Sequence, residues 1–354
     1  MSNVHQKGDL QQLQSLPLEA KIRLTKERIR AWYEAWWRYE IEDKKTGKIR
    51  FVTIDRRDYS VQPKIKETEF IKSASPGSVY VSFSGGKDST VLKHIVDSMY
   101  DDVPSVFVNT GLEYPEIQKF AMSQKNVVTV IPEMRFDQVL KKYGYPVISK
   151  EISQKIHDYR KKPDGYMKER FENNHRGVAK YKALADSDIP VSHMCCNIMK
   201  KRPAKKYEKE TGRKMIVGTL ANESALRKTN WIRNGCNAFD VDRPRSAPMS
   251  FWTEQDILYY IKKYDIQYCS VYGEIKYKNE DELTTTGCDR TGCIFCMFGC
   301  HLEKEPNRFQ KLKKTHQRQY EYCINGGEFV DGKLQPNKEG LGLKHILDYI
   351  GVKY

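Results

Sequence analysis

The sequence has neither the long apolar runs of membrane-embedded proteins nor the low hydrophobic content of disordered ones. No run of apolar residues approaches the roughly 18 that a membrane-spanning helix needs, and hydrophobic residues make up 39% of the 354-residue chain. The polar start, MSNVHQKGDLQQLQ, has no apolar stretch typical of a secretory signal peptide. Internal repeats and low-complexity segments are also missing. We therefore expect a globular protein of the cytoplasm with no membrane partner.

Negative charge is in short supply, because 46 Asp and Glu face 61 Lys and Arg, for a net charge of +15. Such an excess predicts a polyanionic partner, either nucleic acid or the phosphates of a nucleotide. The alternative is a basic surface that serves solubility, since the basic residues are spread widely. One dense group of cations comprises Lys200, Lys201, Arg202, Lys205 and Lys206.

Cysteines are present, but the absence of an export signal argues against a disulfide framework. The nine cysteines form an adjacent pair, a group of four and three isolated residues: Cys195 with Cys196; Cys288, Cys293, Cys296 and Cys300; and Cys236, Cys269 and Cys323. Clustered cysteines in a reducing compartment are typical of metal or redox chemistry. We expect the three isolated residues to be structural thiols.

The spacing of apolar residues predicts alternating strands and helices in the centre of the chain. The predicted strands are 49–54, 78–83, 103–108, 127–131 and 215–217, and the predicted central helices are 88–99 and 114–123, with more helix over 136–185. Strands separated by such helices favour a parallel sheet with right-handed crossovers. Nearer the N-terminus we expect a loose polar leader over 1–15, then one helical face from Leu18 to Tyr39.

The strongest local pattern is SGGKDST at 84–90, between a predicted strand and a predicted helix. Its glycines let backbone amides approach phosphate oxygens, and a helix N-terminus adds unpaired N–H groups and partial positive charge. Lys87 and the loop hydroxyls can add phosphate contacts, and Asp88 can help hold Mg²⁺. The Gly and Lys spacing differs from that of the GxxxxGK[ST] loop. The alternative interpretation is a tight strand-to-helix turn capped by Ser84.

The run SFSGGKDST at 82–90 resembles the PP-loop of the phosphoadenosine phosphosulfate (PAPS) reductase family, within the adenine nucleotide α-hydrolase superfamily. Three later segments are similar to segments of the same family: VNTG at 108–111, GTLANESALR at 218–227, and PMSFWTEQDI at 248–257. The resemblance covers roughly 75–325, and the run RTGCIFCMFG resembles PAPS-reductase-like proteins of phages and mobile elements.

This resemblance implies an α/β fold, a Rossmann-like PP-loop domain with a central, mostly parallel sheet. We place that nucleotide-binding domain at 75–265. A helical and strand-containing N-terminal extension over 1–74 precedes it, and a Cys-rich, cluster-binding C-terminal segment over 266–354 follows.

The resemblance also implies a site for ATP, or a closely related adenine nucleotide, with Mg²⁺. Family members that use ATP cleave it between the α and β phosphates, adenylate a substrate and release pyrophosphate. The implied catalytic residues are Lys87 and Asp88, and the implied nucleotide-binding residues are Ser82, Ser84, Gly85, Gly86, Lys87, Asp88, Ser89, Thr90, Asn109, Thr110, Gly111, Gly218, Glu223 and Arg227. Leu220 stands where the family pattern has Arg, so one phosphate or sulfate contact is not expected from this position.

The pair Cys195-Cys196 with Cys293-Ile-Phe-Cys296 resembles the pattern that holds a [4Fe–4S] cluster in adenylyl sulfate reductases. Two thiolate pairs can converge on one cubane, and the same ligands would satisfy tetrahedral zinc. Cys288 and Cys300 leave a second arrangement open, a local C-x4-C-x2-C-x3-C site. We favour the split pattern because HMCCNIMKKRP at 193–203 matches the family's cysteine-pair segment. Buried, inert thiols are the remaining alternative.

Two activities and one non-enzymatic role follow from these patterns. The first is an ATP-dependent adenylating or sulfur-transferring enzyme, similar to the iron–sulfur PP-loop protein of DNA phosphorothioation or to tRNA thiolation enzymes. The second is a sulfonucleotide reductase, an oxidoreductase that makes sulfite from PAPS or adenylyl sulfate. The third is a nucleotide-binding module without turnover. Expected partners are DNA or tRNA as acceptor, a sulfur-donor or thioredoxin-like protein, and a second copy of the chain.

Two departures from the reductases favour the first activity, a transferase of sulfur metabolism. Reductases typically replace the Lys-Asp of the loop, whereas Lys87 and Asp88 are intact here. Reductases also attack sulfur with a cysteine in a C-terminal ECG-[IL]-H segment, which this chain does not contain. A thiolate nucleophile is needed for that reaction, and Cys323, in EYCINGG, is a poor substitute.

Overall fold

A computed structural model describes residues 4–6, 8–162 and 164–354. Part of the expected leader, residues 1–3 and 7, lies outside the described residues. The rest of the leader contains a helix, Asp9–Gln14, and the side chain of Leu10 is buried in the hydrophobic core. The expectation of a loose leader was wrong for this stretch, because burial of Leu10 stabilises a helix that six largely polar residues would not form alone.

The described strands, in chain order, are β1 Trp36–Asp43, β2 Ile49–Asp55, β3 Glu69–Pro76, β4 Val79–Phe83, β5 Ser105–Val108, β6 Val127–Val130, β7 Val147–Ile148, β8 Lys214–Val217, β9 Asn237–Ala238, β10 Arg245–Ser246, β11 Ile275–Tyr277, β12 Leu283–Thr285, β13 Met297–Phe298, β14 Glu328–Val330 and β15 Lys333–Gln335. The described α-helices are α1 Asp9–Gln14, α2 Leu18–Ala35, α3 Lys87–Asp97, α4 Pro115–Ser123, α5 Phe136–Tyr143, α6 Lys150–Lys161, α7 Tyr166–Glu172, α8 Lys182–Asp186, α9 Arg202–Thr211, α10 Ala225–Asn234, α11 Glu254–Lys263, α12 Arg308–Thr315, α13 Gln317–Ile324 and α14 Lys344–Tyr349. Within the described residues, none of these helices is long and apolar enough to cross a membrane.

The chain forms two compact units, each assembled from separate stretches of sequence. Unit 1 comprises Met1–Val108, Tyr114–Val130 and Ala204–Thr291. Unit 2 comprises Asn109–Glu113, Ile131–Pro203 and Gly292–Tyr354.

Unit 1 is built on a six-stranded sheet with the order β6-β5-β4-β8-β10-β9. All neighbouring pairs in this sheet are parallel except β9 with β10. Helix α3 connects β4 to β5, and α4 connects β5 to β6. The inward residues of β4, Val79, Val81 and Phe83, share one core with Val91 and Leu92 of α3. The predicted α/β fold with a mostly parallel sheet is confirmed.

The predicted continuous helix from Leu18 to Tyr39 ends early, at Ala35. From Trp36 the chain becomes β1, whose backbone pairs with β2 on one side and β3 on the other in an antiparallel sheet. Trp36 and Tyr39 are buried, as the helical spacing predicted, but they lie in strand β1 and not in a helix. Two sets of interstrand hydrogen bonds outweigh the local helical preference there, and no local pattern reveals those partners.

Unit 2 contains a short parallel pairing that joins distant parts of the chain. Met297 and Phe298 of β13 pair with Val147 and Ile148 of β7. The guanidinium of Arg160 donates to four carbonyl oxygens of the 184–189 segment, at 2.6 to 2.9 Å: those of Leu184, Ala185, Ser187 and Ile189. Since an Arg guanidinium has five donors in a rigid fork, one side chain organises the loop that precedes the cysteine pair.

Candidate functional site

The predicted phosphate loop in unit 1 connects β4 directly to α3, as its sequence context required. Helix α3 begins at Lys87, and the preceding residue, Gly86, gives it no side-chain cap. The carbonyl of Gly86 accepts from the hydroxyls of Ser89 and Thr90 at 2.9 and 3.0 Å. Ser84 does not cap the helix; its hydroxyl lies 3.0 Å from that of Ser89. Apart from the Lys87 N–H, which donates to the Tyr272 hydroxyl, the first amides of α3 keep the donors and partial positive charge that bind anions.

Three glycines allow the close backbone approaches around this loop. Gly85 has φ +72°, a conformation that L side chains rarely adopt, and a Cβ there would lie 3.0 Å from a methyl carbon of Ile117. At Gly86 a Cβ would lie 3.2 Å from the hydroxyl of Tyr272. At Gly218, directly after β8, it would lie 3.0 Å from the Asp88 carbonyl oxygen. Gly218 thus lets the turn after β8 lie against the start of α3.

Ser82, also a predicted nucleotide-binding residue, lies inside β4 rather than in the loop. It is half-buried, and its backbone pairs with Val106 on β5 and Val217 on β8. Its position one residue before the end of the central strand places it close to the loop in sequence, but the strand holds its backbone.

Lys87 is buried, with 6% of its surface exposed, and its contacts involve elements far away in sequence. Its ammonium nitrogen lies 2.6 Å from a carboxylate oxygen of Glu254 and donates to the carbonyl of Asp289 at 2.5 Å. Its backbone N–H donates to the Tyr272 hydroxyl at 3.4 Å. A buried lysine needs such partners, and the same ammonium could exchange Glu254 for a phosphate oxygen.

Glu254 is the first residue of α11, and a capping box at the preceding residue, Thr253, fixes where that helix starts. Thr253 accepts a hydrogen bond from the Asp256 N–H at 3.2 Å, and the Asp256 carboxylate accepts from the Thr253 N–H at 2.7 Å. The Asp256 carboxylate is also paired at 2.7 Å with Lys21, which is buried on α2. The WTEQDI segment therefore places a carboxylate at the phosphate loop by fixing the helix start.

Asp88 lies among charges of both signs. Burial raises its pKa; the charges of Lys87, Arg290 and Arg227 oppose that rise, whereas Glu254 adds to it. A buried carboxylate with a raised pKa is stabilised as an anion by a bound cation. This environment suits the predicted role of Asp88 as a Mg²⁺ ligand.

Glu223 organises the turn that follows β8. One of its carboxylate oxygens accepts from the Leu220 N–H at 2.9 Å. The same carboxylate forms ion pairs with Arg227 and Arg290. In this structure Glu223 is therefore a carboxylate that holds the two guanidinium groups of Arg227 and Arg290 beside the turn.

The predicted residues Asn109, Thr110 and Gly111 form a compact turn in unit 2. The backbone N–H and hydroxyl of Thr110 both donate to the Glu113 carboxylate, at 3.1 and 2.7 Å. The N–H of Gly111 donates to the Asn109 side chain at 3.2 Å, and Gly111 has φ +72°. The turn is therefore held by Glu113, which the motif comparison did not single out.

The four cysteines of the split pattern line one cavity in unit 2. The lining residues are Leu112, Phe136, Pro146, Cys195, Cys196, Met199, Lys200, Cys293 and Cys296. Cys195 and Cys196 precede a π-helical turn, Asn197–Lys201, a feature common at functional sites. Two contacts hold the other pair: the Ile294 N–H donates to the Leu112 carbonyl at 2.8 Å, and Arg308 donates to the Cys296 carbonyl at 2.8 Å.

The charges around this cavity favour thiolates at some positions. The hydrogen bond from Cys195, 3.9 Å between sulfurs, is the main cause that lowers the pKa of Cys196, and Lys200 acts in the same direction. The pKa of Cys195 is raised correspondingly. Burial raises the pKa of Cys293 to about 11, and Lys200 opposes this rise.

The donor set fits a cluster with four cysteine ligands. Within the described ranges no three His, Cys, Asp or Glu side chains form a group that could hold a metal ion. A cubane, however, takes one sulfur on each of four irons, so its ligands do not converge on a single atom as they would on zinc. Four thiols around one cavity, with the ammonium of Lys200 beside them, suit that wider arrangement.

The cysteines outside the split pattern have other surroundings. Cys288 and Cys300 are not among the described residues that line the cavity. Cys300 is buried and its thiol donates to the Met297 carbonyl at 3.1 Å. The isolated thiols Cys236, Cys269 and Cys323 are all buried. The structure thus brings together the split set and not the local C-x4-C-x2-C-x3-C set.

Several residues at the phosphate loop were not singled out from the sequence. Glu254 and Arg290 lie within the WTEQDI and RTGC runs, which were quoted for their resemblance without a role. Tyr272, whose hydroxyl lies 2.7 Å from that of Thr291, carries no local signal. It follows Cys269 by three residues in a short 3-10 turn, Ser270–Tyr272, and only the fold brings it to Lys87.

A parallel α/β sheet whose first strand leads through SGGKDST into an uncapped helix defines the PP-loop class of protein. The chain belongs to the phosphoadenosine phosphosulfate reductase domain family, whose model matches residues 78–298. That match spans the phosphate loop, the Gly218–Arg227 turn, α11 and both cysteine pairs. The family consists of enzymes of the PP-loop type.

Two similar proteins extend the comparison. An uncharacterized protein of Methanocaldococcus jannaschii is 24% identical over 310 residues, which cover 84% of this chain and 56% of that protein. This chain therefore matches little more than half the length of that relative. The crystal structure of PAPS reductase from Candida auris, a phosphate complex, matches with a TM-score of 0.31 and 14% identity, over 57% of this chain and 83% of that one.

Proposed function

We propose that this chain is a PP-loop enzyme that binds ATP, or a closely related adenine nucleotide, with Mg²⁺ and adenylates an acceptor in sulfur transfer. The observation that carries the proposal is the intact Lys87-Asp88 pair at the uncapped start of α3. An ammonium, a half-buried carboxylate suited to Mg²⁺ and the uncapped start of a helix together match a triphosphate. A sulfonucleotide carries a single sulfate where ATP carries its β and γ phosphates, so it does not need all three.

In the proposed reaction a nucleophilic atom of the acceptor attacks the α-phosphorus. The bond from that phosphorus to the oxygen bridging the α and β phosphates breaks, and pyrophosphate leaves with the electron pair. Lys87 and the α3 amides would stabilise the charge that develops on the phosphate oxygens. Asp88 would orient the magnesium ion that neutralises the leaving pyrophosphate.

We propose that Cys195, Cys196, Cys293 and Cys296 hold a [4Fe–4S] cluster, with zinc as the alternative metal. The shared cavity and the cations beside it support this proposal. A bound cluster would supply one-electron chemistry. The chain's own part is to hold two distant cysteine pairs through the π-helical turn and through Arg308.

The acceptor that we propose is a nucleic acid, either DNA or tRNA. Support comes from the net charge of +15 and from the dense cationic group near the cysteine pair. Lys200, Lys201, Arg202, Lys205 and Lys206 all lie at exposed positions. Exposed cations of this density can neutralise backbone phosphates.

The second candidate, a sulfonucleotide reductase, needs an accessible thiolate nucleophile. Cys323 is the cysteine nearest the C-terminus, yet it is fully buried in α13. Burial also raises its pKa well above the usual range. These two properties disfavour Cys323 as the attacking group.

The deciding experiment incubates anaerobically purified protein and Mg²⁺ with ATP or with PAPS, each with and without DNA or tRNA. We expect pyrophosphate from ATP, increased by the correct acceptor, and no sulfite from PAPS. Asp88→Asn should suppress the pyrophosphate because it removes the Mg²⁺ carboxylate. Sulfite from PAPS, with no pyrophosphate from ATP, would establish the reductase instead.

A further inference from the structure

The turn after β8 presents an apolar side chain at Leu220. This residue is buried in the hydrophobic core, with 6% of its surface exposed, so it cannot contact a phosphate. A triphosphate bound at this site would therefore be met by cations from the neighbouring segments.

Arg290 is connected to this turn through Glu223. Its guanidinium pairs with Glu223, and Glu223 accepts the backbone N–H of Leu220. The side chain of Arg290 is 66% exposed, whereas that of Glu223 is 16% exposed. Arg290 is thus attached at one side to the turn and open to solvent at the other.

The two residues that flank Arg290 in sequence are both connected to Lys87. Asp289 contacts it directly, and Thr291 contacts it through Tyr272. The carbonyl of Asp289 accepts from the ammonium of Lys87 at 2.5 Å. The hydroxyl of Thr291 lies 2.7 Å from that of Tyr272, which in turn accepts from the Lys87 N–H. The charge of Arg290 also acts on Asp88. Residues 289–291 therefore hold Arg290 beside the phosphate loop.

In this structure Lys87 and Arg290 are both paired with carboxylates. Glu254 pairs with Lys87 and Glu223 pairs with Arg290. A carboxylate and a phosphate present similar paired oxygens to a guanidinium, and Arg binds both in a bidentate manner. Exchange of Glu223 for a phosphate would keep Arg290 paired throughout binding.

We propose that Arg290 is a nucleotide-binding residue that contacts the β and γ phosphates of ATP. This inference rests on the proposed function and names the group that makes the site selective for a polyphosphate. During α–β cleavage the same guanidinium would hold the departing pyrophosphate. AMP lacks those phosphates, so its affinity would not depend on Arg290.

The test is calorimetric titration of the full-length, anaerobically purified protein with ATP, inorganic pyrophosphate and AMP. Arg290→Ala should weaken ATP and pyrophosphate binding by about tenfold or more, because a hydrogen bond between two charged groups is lost. AMP binding should change little. The ATP and pyrophosphate affinities of Arg290→Lys should lie between those of the wild type and Arg290→Ala, because lysine keeps the charge and loses the bidentate geometry.

The matched control is Arg233→Ala, which removes an exposed arginine from α10 and should leave all three affinities unchanged. Equal melting temperatures and iron contents would show that Arg290→Ala retains the fold. Equal ATP and pyrophosphate affinities in wild type and Arg290→Ala would overturn the inference and leave the proposed function standing. Equal losses for AMP and ATP would overturn it too. If the wild type bound none of the ligands, the proposed function would fail and the inference with it.

Discussion

At the scale of single residues, the site depends on a buried lysine that is already paired. Lys87 must release Glu254 before it can hold a phosphate, so the net gain from its phosphate contact is smaller than the contact itself. The benefit is that Lys87 is already held in place by Glu254 and the Asp289 carbonyl in the absence of nucleotide. Pre-organised groups of this kind lose less conformational entropy on binding than flexible surface lysines do.

Lys87→Ala should weaken ATP binding by about 1.5–3 kcal/mol, the range for hydrogen bonds to charged groups. Calorimetry on the folded variant measures this directly. Lys93→Ala is the matched control, because Lys93 is also buried on α3 but pairs with Asp97. Unchanged ATP affinity in Lys87→Ala, or equal losses in the two variants, would contradict the role of the phosphate loop.

The four cavity cysteines should bind about four irons per chain, the stoichiometry of one cubane, and anaerobically purified protein should be brown. Cys196→Ser and Cys293→Ser should each lose the iron, since each removes one ligand. Iron analysis with parallel zinc analysis measures the outcome. Cys269→Ser, which replaces a buried thiol of unit 1, should keep the iron. Stoichiometric zinc without iron would show the alternative metal.

At the scale of elements, the phosphate loop is positioned by helix starts rather than by side chains alone. Helix α3 has no side-chain cap. Helix α11 starts with a full capping box and has Glu254 as its first residue. Under the proposed function this contrast matters, because amides used by a cap are not available to a phosphate.

Thr253→Ala should lower the free energy of unfolding by about 1 kcal/mol, because it leaves the Asp256 N–H without its cap. Urea unfolding with the nucleotide absent measures the change. Thr315→Ala is a control near the exposed end of α12, where the hydroxyl donates to the Lys311 carbonyl and lies 2.8 Å from a ring nitrogen of His316, and it should have little effect. A larger loss at Thr315 than at Thr253 would contradict the assigned cap.

At the scale of the whole molecule, the net charge of +15 predicts salt-dependent binding to nucleic acid. Arg202, Lys205 and Lys206 are exposed on α9, and their combined replacement by Ala avoids Lys200, which lies beside Cys293. This triple variant should weaken DNA or tRNA binding and reduce the salt slope by about 0.9 for each lost contact to duplex DNA.

The control for that experiment removes three other exposed lysines, Lys311, Lys313 and Lys314, near the end of α12. It matches the loss of charge without touching α9. Titrations at low and moderate salt then separate a local site from a general charge effect. Equal losses in both triple variants would indicate nonspecific attraction, and no binding at low salt would exclude a nucleic-acid acceptor.

The sequence alone was sufficient to predict the parallel sheet and the Gly-rich turn that joins β4 to the start of α3. Each depends on residues within about ten positions of one another: an apolar run, a Gly-rich turn, a helix start. Local chemistry decides such features, because φ restrictions, capping and side-chain periodicity act over one or two turns. The family resemblance, which rests on those same segments, was confirmed for that reason.

Only the tertiary structure decided what those local features contact. The strand at Trp36–Asp43 exists because β2 and β3 pair with it, and the spacing of Trp36 and Tyr39 suited a helix equally well. Tyr272 and Arg290 reach the phosphate loop, and two cysteine pairs about a hundred residues apart line one cavity. Contacts of this kind depend on how distant segments pack, which is a property of the whole core and leaves no periodic trace in the chain.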